Sequence, residues 1–547
     1  MVLCPSQRED ALPPPDGREQ TCEDGIVARA VLAALCAPLA LSALGCTGSS
    51  TRSSPQPQSG PPHLTELGIT TATGATLVPA FSTAIQDYYV QCESGTNTWT
   101  LATAAPSGTS VSLVQPAGAS PSMPIDVEEN QAVVVAATQG ASTTEYWVRC
   151  LPHDFPPMMW TPHTEAGQPP PGYYLVGNWW VPTGGQIGGY AIVLDTHGVP
   201  VWYLRMPGTL GVANVDSLAP ESVAYFPYPV GGAFDTRALA PLMTTTVVPA
   251  GQEASNHELR LLPSGDYLTF TTPLTSGVDL SRFQTSDTII QDCEVVEFTP
   301  NGTPVWTWLA SDHFDPAEDS TFPQPGGTAP DGAGVLDVFH CNSIDVDPEN
   351  GNLLVSARNM DSVFYIERPS GKVLWKMGGA NSSKDGAAYV PVTDPFFRQH
   401  DARFQPGWSY TSSGGRGQVS LFDDETERPG PARAVVYDIV VGAPSGGADG
   451  GAAPEAGSTP GTATLTWQYE GLSSSAYAGD FRVYADDSRV IGWGVSLTPQ
   501  LVFAEVDVHG NDLLDFGFAD SEPSYRAVKV PPSTFDLGVL RRTAGLP

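Results

Sequence analysis

Three histidines and one arginine occupy matching places in related stretches of this sequence. His257 in NHELRLLPSG, His340 in FHCNSIDVDP and His400 in QHDARFQPG each stand at, or a few residues before, the start of a stretch that leads into a Pro/Gly turn. Arg358 closes the second of these stretches in LLVSARNMDS. Equivalent points of repeated β units converge when the units form a ring. We therefore expect the imidazoles and the guanidinium to meet in one site.

Such a group of residues suits three kinds of chemistry. A catalytic zinc ion commonly has three protein ligands, although the permanent charge of Arg358 would repel a dication. A guanidinium among neutral imidazoles suits an anion such as sulfate, which arginine binds through its planar fork. The same residues could also do no more than pair with one another inside a buried channel. The residues alone leave anion chemistry, packing and metal binding open.

The elements that would position these residues are two interleaved sets of hairpins. Each hairpin has an apolar strand, a polar turn with Gly, and a second strand. The first set is GYAIVLDTHGVPVWYL (189–204), EVVEFTPNGTPVWTWL (294–309) and VFYIERPSGKVLWKMG (363–378), and the second set covers 258–270, 343–358 and 402–422. Two hairpins make a four-stranded blade, and blades of about 40 to 60 residues allow six to eight of them over residues 157–547, where we expect a six-bladed β-propeller.

A small β domain is predicted ahead of the propeller. Residues 63–152 alternate short Val/Thr/Tyr stretches with Gly, Pro and Ser turns, which favours a β-sandwich. With 56 Gly and 52 Pro, the whole chain favours short strands over long helices. The low-complexity stretch 442–461 (GAPSGGADGGAAPEAGSTPG) is typical of an exposed loop insertion. The predicted fold class is therefore all-β.

The N-terminus has the pattern of an export signal. Arg29 is followed by an apolar run that ends in Leu44-Gly45-Cys46, so residues 1–45 are predicted to be a signal segment. The ending resembles a bacterial lipobox, with Cys46 as the lipidated residue and 46–62 as a tether. Thr47 is not an acidic retention signal, which favours the outer membrane. The protein is predicted to be exported to the periplasm or cell envelope and to contact membrane only through this anchor.

Export places the cysteines in an oxidising compartment, where disulfides form. Beyond Cys46 the chain has four cysteines. Cys92 and Cys150 end two strand-like stretches of one small region and are predicted to pair. Cys293 and Cys341 are paired by elimination.

The charge of the chain excludes one class of partner. Asp and Glu number 59 against 25 Lys and Arg, a formal charge of −34. So acidic a surface repels phosphate backbones, so we expect no nucleic-acid partner. No cofactor, resident metal or oligomeric state is indicated.

Four blocks of the sequence carry a resemblance to a known family. They are FHCNSIDVDPENGNLLVSARNMDSVFYIERPSGKVLWKMGG (339–379), FRQHDAR (397–403), SLFDDETERPG (420–430) and ARAVVYDI (432–439). Together they resemble the arylsulfotransferase (arylsulfate sulfotransferase) family. The resemblance covers residues 170 to 520, roughly. It implies a six-bladed propeller, often behind a small N-terminal β domain. The sequence departs from the family pattern at Asp424, where Asn is usual, and at Ala432, where Ser is usual.

The resemblance also implies a reaction. The family moves a sulfuryl group from a phenolic sulfate ester to a phenol through a sulfated histidine, independently of a nucleotide sulfate donor (PAPS). Carried over by motif, His400 would be the nucleophile, with His340, Arg358 and His257 as its partners. The alternative hypothesis is a non-catalytic β-propeller lipoprotein that binds an anionic or phenolic ligand in the same channel.

Overall fold

The computed structural model describes residues 60–118, 123–181, 187–229, 232–411, 414–441, 461–496 and 501–547. The predicted signal segment, Cys46 and most of the tether lie outside the described residues, and so does the predicted loop insertion, except for Gly461. Strands make up 48% of the described residues and helices 5%, so the all-β class is confirmed. In the described part, no helix is long and apolar enough to cross a membrane.

Two sheets near the N-terminus share one apolar core, which includes Trp99 and Tyr146. One sheet has the strand order β1-β3-β5 and the other β2-β7-β6-β4. A disulfide joins Cys92, next to the end of β2, to Cys150 in β7. These strands are β1 (Glu66–Thr71), β2 (Asp87–Gln91), β3 (Asn97–Ala104), β4 (Ser110–Gln115), β5 (Ile125–Val127), β6 (Ala132–Gln139) and β7 (Ser142–Leu151).

The rest of the described chain is built from short strands. The strands of its first part are β8 (Met158–Pro162), β9 (Tyr173–Gly177), β10 (Tyr190–Leu194), β11 (Pro200–Arg205), β12 (Gly211–Asp216), β13 (Ser222–Tyr228), β14 (Phe234–Leu239), β15 (Leu242–Val247), β16 (Ala254–Leu261), β17 (Tyr267–Thr271), β18 (Leu274–Ser276), β19 (Ile289–Gln291), β20 (Glu294–Phe298), β21 (Pro304–Leu309), β22 (Gln324–Thr328) and β23 (Gly334–Asp337).

The strands of its second part are β24 (Cys341–Val346), β25 (Leu353–Ala357), β26 (Ser362–Glu367), β27 (Lys372–Met377), β28 (Ala388–Val390), β29 (His400–Phe404), β30 (Ser409–Thr411), β31 (Gly414–Asp423), β32 (Arg433–Val441), β33 (Thr462–Glu470), β34 (Asp480–Val483), β35 (Arg489–Gly492), β36 (Phe503–Val506), β37 (Asp512–Phe518) and β38 (Val528–Val530). The helices are short: α1 (Ala310–His313), α2 (Pro316–Asp319), α3 (Leu537–Thr543) and the 3-10 turns Ser281–Phe283, Arg358–Met360 and Pro532–Thr534.

Six sheets of four or five main strands follow one another along the chain. We number them by strand order: sheet 1 is β38-β9-β10-β11, sheet 2 is β12 to β15, sheet 3 is β16-β17-β20-β21, sheet 4 is β24 to β28, sheet 5 is β29-β31-β32-β33, and sheet 6 is β34 to β37 with β8. All six hairpins predicted from the sequence are present, and in sheets 3 and 4 two of them combine into one sheet as expected. Gly302 and Gly371 turn two of these hairpins with φ of +86° and +75°, a conformation that favours glycine.

The first strands of neighbouring sheets lie beside one another. β12 contacts β16, β16 contacts β24, β24 contacts β29, and β29 contacts β34. The two ends of the segment meet within sheets, because β38 pairs with β9 and β8 pairs with β37. The five residues of β10, like those of β25, are all buried, as expected for a strand covered on both faces by other layers.

A seventh sheet in this part of the chain, β18-β19-β23-β22, is inserted around sheet 3. Cys293, just after β19, forms a disulfide with Cys341 at the start of sheet 4. Both predicted disulfides are therefore present. They fit an exported protein in an oxidising compartment.

A buried network of arginines and carboxylates connects the first strands. Glu258 in β16 lies 2.6 Å from Arg403 and 3.1 Å from Arg526. Asp401 in β29 lies 2.5 Å from Arg403 and 3.3 Å from Arg482 of β34. Burial alone would raise the pKa of Glu258, but Arg403 and Arg526 hold it at about 2. The network therefore carries full charges inside the protein.

The same network reaches the other sheets. Arg403 donates to the carbonyl of Ile344 in β24 at 2.6 Å, and Arg482 lies 3.5 Å from Asp216 in β12. Arg526 precedes β38 of sheet 1 and donates to the carbonyl of Asn342 at 3.0 Å. We call these connected side chains the axial network: Asp216, Glu258, Asp401, Arg403, Arg482 and Arg526.

We expect Glu258→Gln to destabilise the fold by about 3–5 kcal/mol, because it removes one partner from buried ion pairs. The Glu258 carboxylate stabilises the fold above its unfolded pKa of about 4.3, and this contribution is lost as the pH falls through about 2. The difference between variant and wild type should therefore be largest near neutral pH. Urea unfolding at pH 7 and pH 3 measures it.

Glu66→Gln, which changes the same charge at an exposed position of β1, is the control and should leave stability nearly unchanged. If Glu258→Gln unfolded at the same urea concentration as this control, the axial network would not hold the sheets together.

Candidate active site

The sheets bring His257, His340, His400 and Arg358 to neighbouring strand ends. His257 lies within β16, His340 immediately precedes β24, Arg358 directly follows β25, and His400 is the first residue of β29. The pairing register shifts between Ala254 and Leu259, between Cys341 and Ser343, and between His400 and Arg403. Such irregularities turn side chains away from the regular alternation of a strand and are common beside active sites. They occur here at or next to each histidine.

The three imidazoles converge on one point. One ring nitrogen from each of His257, His340 and His400 lies within 4.8 Å of the others. The Nε2 atoms of His257 and His340 are 3.1 Å apart, within hydrogen-bond distance. The ring of Tyr525 lies beside His257 and His400, with centroids at 5.7 Å and 6.4 Å. We call the three histidines the histidine cluster.

The Nδ1 atom of each ring contacts a carboxylate or a hydroxyl group. Nδ1 of His400 lies 2.7 Å from Asp424, Nδ1 of His340 lies 2.5 Å from Asp337, and Nδ1 of His257 lies 2.5 Å from the Ser255 hydroxyl. When Nδ1 carries the proton and donates to a carboxylate, Nε2 is left with a free lone pair. The contacts of His400 and His340 with carboxylates therefore turn their Nε2 atoms toward the centre.

Burial and nearby charge keep the His400 ring neutral. The residue is 1% exposed, and desolvation together with the charge of Arg358 lowers the pKa of His400 well below its ordinary value. Burial likewise lowers the pKa of His257. The same desolvation raises the pKa of Asp424, while Arg358 opposes this rise. A neutral imidazole is the form that can act as a nucleophile.

Arg358 is buried beside the cluster with its guanidinium only partly used. It donates to the side chain of Asn359 at 2.9 Å and to the carbonyl of Ala476 at 3.1 Å. Its Nε has no hydrogen-bond partner among the residues that the structure describes. Burial lowers the pKa of Arg358, but a guanidinium remains charged in proteins. A buried cation with a free donor suits an anionic guest.

A cavity of about 270 Å³ opens onto His257 and His340. Aromatic side chains (Phe226, Tyr228 and Phe270) and the acidic residue Asp337 also line it. We call it the histidine cavity. His400 and Arg358 are not among its lining residues.

The chemistry of the cluster favours an anion over a metal. Three imidazole nitrogens could hold zinc, and their Nδ1 contacts resemble those that orient metal ligands. However, both Arg358 and Arg526 add positive charge that lowers the pKa of His400, and the same charges oppose a dication. The donor set contains no carboxylate or thiolate to offset them, only imidazoles.

The sequence did not predict the contacts that several residues make in the site. Asp424 was noted as a departure from a family pattern, without its contact to His400. Asp337, three residues before His340, carries a local signal in the spacing DVFH. Ser255 and Tyr525 carry no signal, because neither belongs to a motif that sequence analysis identified.

The fold and the site thus define an all-β protein with a buried histidine and arginine centre. Residues 237–437 match the model of the arylsulfotransferase (ASST) family, a span that contains all four candidate residues and Asp424. The match confirms the resemblance over these residues. The family supports arylsulfotransferase activity in general for this chain.

Other comparisons are more distant, and no curated protein matches the sequence. An auxiliary nutrient binding protein from Bacteroides thetaiotaomicron is 11% identical, covering 84% of this chain and 98% of its own, with a TM-score of 0.29. The Pan2 WD40 domain of Neurospora crassa is 10% identical, covering 72% and 87%, with a TM-score of 0.27. The nidogen/laminin complex is 12% identical, covering 65% and 98%, with a TM-score of 0.30. Similarity at this level assigns no activity.

We expect His400→Asn to weaken the acid sensitivity of the fold. The lowered pKa of His400 means that the unfolded chain binds a proton below pH 6.5, roughly, before the folded protein does. The free energy of unfolding therefore falls as the pH falls, and removing the ring should reduce this slope by up to about 1.4 kcal/mol per pH unit. Urea unfolding between pH 7 and 5 measures the slope.

Asn keeps an amide that can donate to Asp424, so the variant tests the proton rather than the contact. His509→Asn, at an exposed position, is the control and should keep the wild-type slope. Equal slopes for both variants would contradict a neutral, buried His400.

Proposed function

We propose that this protein is an aryl sulfate:phenol sulfotransferase that works through a sulfated His400 and needs no nucleotide sulfate donor. The observation that carries the proposal is the neutral, buried His400 ring, which Asp424 holds by Nδ1 at 2.7 Å within the histidine cluster. Arg358, whose charge acts on the same ring, supplies the cation that a sulfate ester requires.

In the first step, Nε2 of His400 attacks the sulfur of the donor. A nitrogen–sulfur bond forms, the bond between sulfur and the phenolic oxygen breaks, and the electron pair leaves with the phenolate. The phenolate takes a proton from the His257–His340 pair, whose Nε2 atoms lie 3.1 Å apart, and leaves as a phenol with a pKa of about 10. The Nδ1–H of His400 keeps donating its hydrogen bond to Asp424, whose negative charge stabilises the positive ring of the sulfated histidine.

In the second step, an acceptor phenol replaces the proton that the His257–His340 pair gave up, and its oxygen attacks the same sulfur. The nitrogen–sulfur bond breaks, and neutral His400 and a new sulfate ester are left. By analogy with phosphoryl transfer, the transition state carries its charge on the equatorial oxygens, where Arg358 would hold it. A covalent intermediate of this kind predicts ping-pong kinetics.

The proposed architecture is a six-bladed β-propeller over residues 157–547, with the six numbered sheets as blades. The contacts between successive first strands and the pairing of β38 with β9 support it. The two sheets of β1 to β7 support a small β-sandwich over residues 63–152. The histidine cluster would then lie at one end of the central channel.

We also propose that the enzyme works in the periplasm, anchored to the outer membrane. The signal pattern of residues 1–45, the lipobox resemblance at Cys46 and the polar tether support an anchor. The two disulfides support an oxidising compartment. Phenolic sulfates and phenols would be its small-molecule partners.

We expect His400→Asn to abolish sulfuryl transfer from 4-nitrophenyl sulfate to phenol. The amide of Asn can keep the contact with Asp424 but offers no nucleophilic nitrogen, so no covalent intermediate can form. Release of 4-nitrophenol measures turnover, and mass spectrometry of the His400 peptide after quenching measures the added sulfuryl group. His509→Asn should retain both signals.

A wild-type protein that folds but turns over none of a panel of aryl sulfates would contradict the proposal. It would favour the alternative of a binding propeller. Transfer that persists in His400→Asn would show that another group is the nucleophile.

We expect the titration of Asp424 to determine how kcat/KM falls at acid pH. Burial raises the pKa of Asp424, so its carboxylate, which must accept from Nδ1, is progressively lost as the pH falls. Asp424→Asn keeps an acceptor oxygen without a titrating proton and should remain active, with a flatter acid limb of kcat/KM. Asp424→Leu, which has no acceptor, should lose about 100-fold or more, in the range of positioned acid–base contacts.

Steady-state rates from pH 5 to 9 measure both variants, with circular dichroism to check folding. An unchanged acid limb in Asp424→Asn, or full activity in Asp424→Leu, would show that Asp424 does not position His400.

A further inference from the structure

A second cavity lies near Arg358 and has a different character. It has a volume of about 690 Å³, and three arginines and several aromatic rings contribute to its walls. We call it the arginine cavity, and its lining residues used below are Arg282, Arg398, Arg428, Phe397 and Tyr389. The protein has only 25 Lys and Arg against 59 Asp and Glu, so three arginines around one cavity are a marked local concentration of positive charge.

Guanidinium groups and phenyl rings alternate from Arg358 to this cavity. The Cζ of Arg358 lies 5.3 Å from the ring centroid of Phe322, and the Cζ of Arg398 lies 3.9 Å from the same centroid. Arg398 is also 6.0 Å from the ring of Phe397, and Arg428 lies 3.9 Å from that ring. These distances are within the range of cation–π contacts. A continuous stack therefore runs from the site of Arg358 to the exposed Arg428.

Several contacts fix Arg398, which lies in the middle of this stack. Arg398 is buried and adopts a φ of +62°, which is uncommon for any residue other than glycine. Asp361 holds it by accepting from its backbone N–H at 2.8 Å and from its Nη1 at 2.7 and 2.5 Å. Its Nε has no partner among the described residues. A buried donor without a partner, in a strained position, is a feature of binding sites.

The positive charge of the cavity is not fully paired. Arg282 lies 3.0 Å from Glu318, and Arg398 is paired with Asp361. In the described chain, no carboxylate oxygen lies within 4.0 Å of the Arg428 guanidinium. Glu425, on the same turn, has its pKa raised by burial, which favours its neutral form. The cavity therefore offers a cation at its exposed side and a buried donor further in.

Resting on the proposed function, we propose that the arginine cavity is a docking site for aromatic anions, which captures the aryl sulfate donor beside the histidine cluster. A sulfate ester is an anion, and the overall charge of −34 repels it at long range. A local cluster of arginines offsets this repulsion, and flat guanidinium and aromatic faces suit the aryl ring. A neutral phenol acceptor gains much less from such a site.

Direct binding tests the site without any turnover. The probe is 4-bromobenzenesulfonate, whose carbon–sulfur bond the proposed reaction does not break. Titration calorimetry should show Arg428→Gln and Phe397→Leu binding it at least about three-fold more weakly than wild type, the size expected for one exposed cation–π or charge contact. Arg542→Gln, an exposed arginine of α3, is the matched control and should bind as wild type does.

Crystals soaked in the same probe locate it through the anomalous signal of bromine. We expect a peak among Tyr389, Phe397 and Arg428. A peak only in the histidine cavity, or equal affinities for all variants, would overturn the proposal. This result does not depend on whether the protein transfers sulfuryl groups, so a failure of the proposed function is seen separately.

Kinetics tests the assignment to the donor. In ping-pong kinetics, donor and acceptor have separate Michaelis constants. Arg428→Gln should raise the constant for the donor, 4-nitrophenyl sulfate, about three- to ten-fold at low salt while sparing the constant for phenol. The difference from wild type should shrink in high salt, because the contact is exposed. An equal change in both constants, or a change in neither, would overturn the role in donor capture.

Discussion

Buried ion pairs of the axial network are the constraint on which the site depends. Each charge in it would be unfavourable alone in the interior, so each arginine must meet its carboxylates across neighbouring sheets. Glu258 and Asp401, its central carboxylates, directly follow His257 and His400 in the chain. Consecutive residues share one stretch of backbone, so fixing a carboxylate also restricts the neighbouring imidazole. Holding the carboxylates in the network therefore directs the imidazoles toward the histidine cluster.

One cation connects the two requirements of the proposed chemistry. A nucleophilic imidazole must be neutral, and a sulfate ester must meet positive charge. The charge of Arg358 lowers the pKa of His400 and also leaves an unpaired donor beside it. The carboxylates Asp424 and Asp337 contact the imidazoles at Nδ1, on the side away from the other rings. Negative charge thus orients the rings, while Arg358 offers positive charge to the proposed anionic substrate.

Much of the fold could be predicted from the sequence because its signals are local. The hairpins follow from apolar alternation and from turns such as those at Gly302 and Gly371, and both depend on neighbouring residues alone. The convergence of the three histidines followed from their equivalent places in repeated units. The pairing of β38 with β9 and the sheet inserted around sheet 3 had no such signal. Their partners are far apart in sequence, so only the packed chain brings them together.

For the site, the sequence by itself determined which residue types were present and that three imidazoles and Arg358 would lie near one another. Only the tertiary structure decided that Asp424 holds His400, that Tyr525 lies against the cluster, and that Phe322 lies between Arg358 and Arg398. A hydrogen bond or a ring contact is set by distances of a few ångströms between side chains of different sheets. Those distances depend on strand irregularities and on how the sheets pack, which no local pattern encodes.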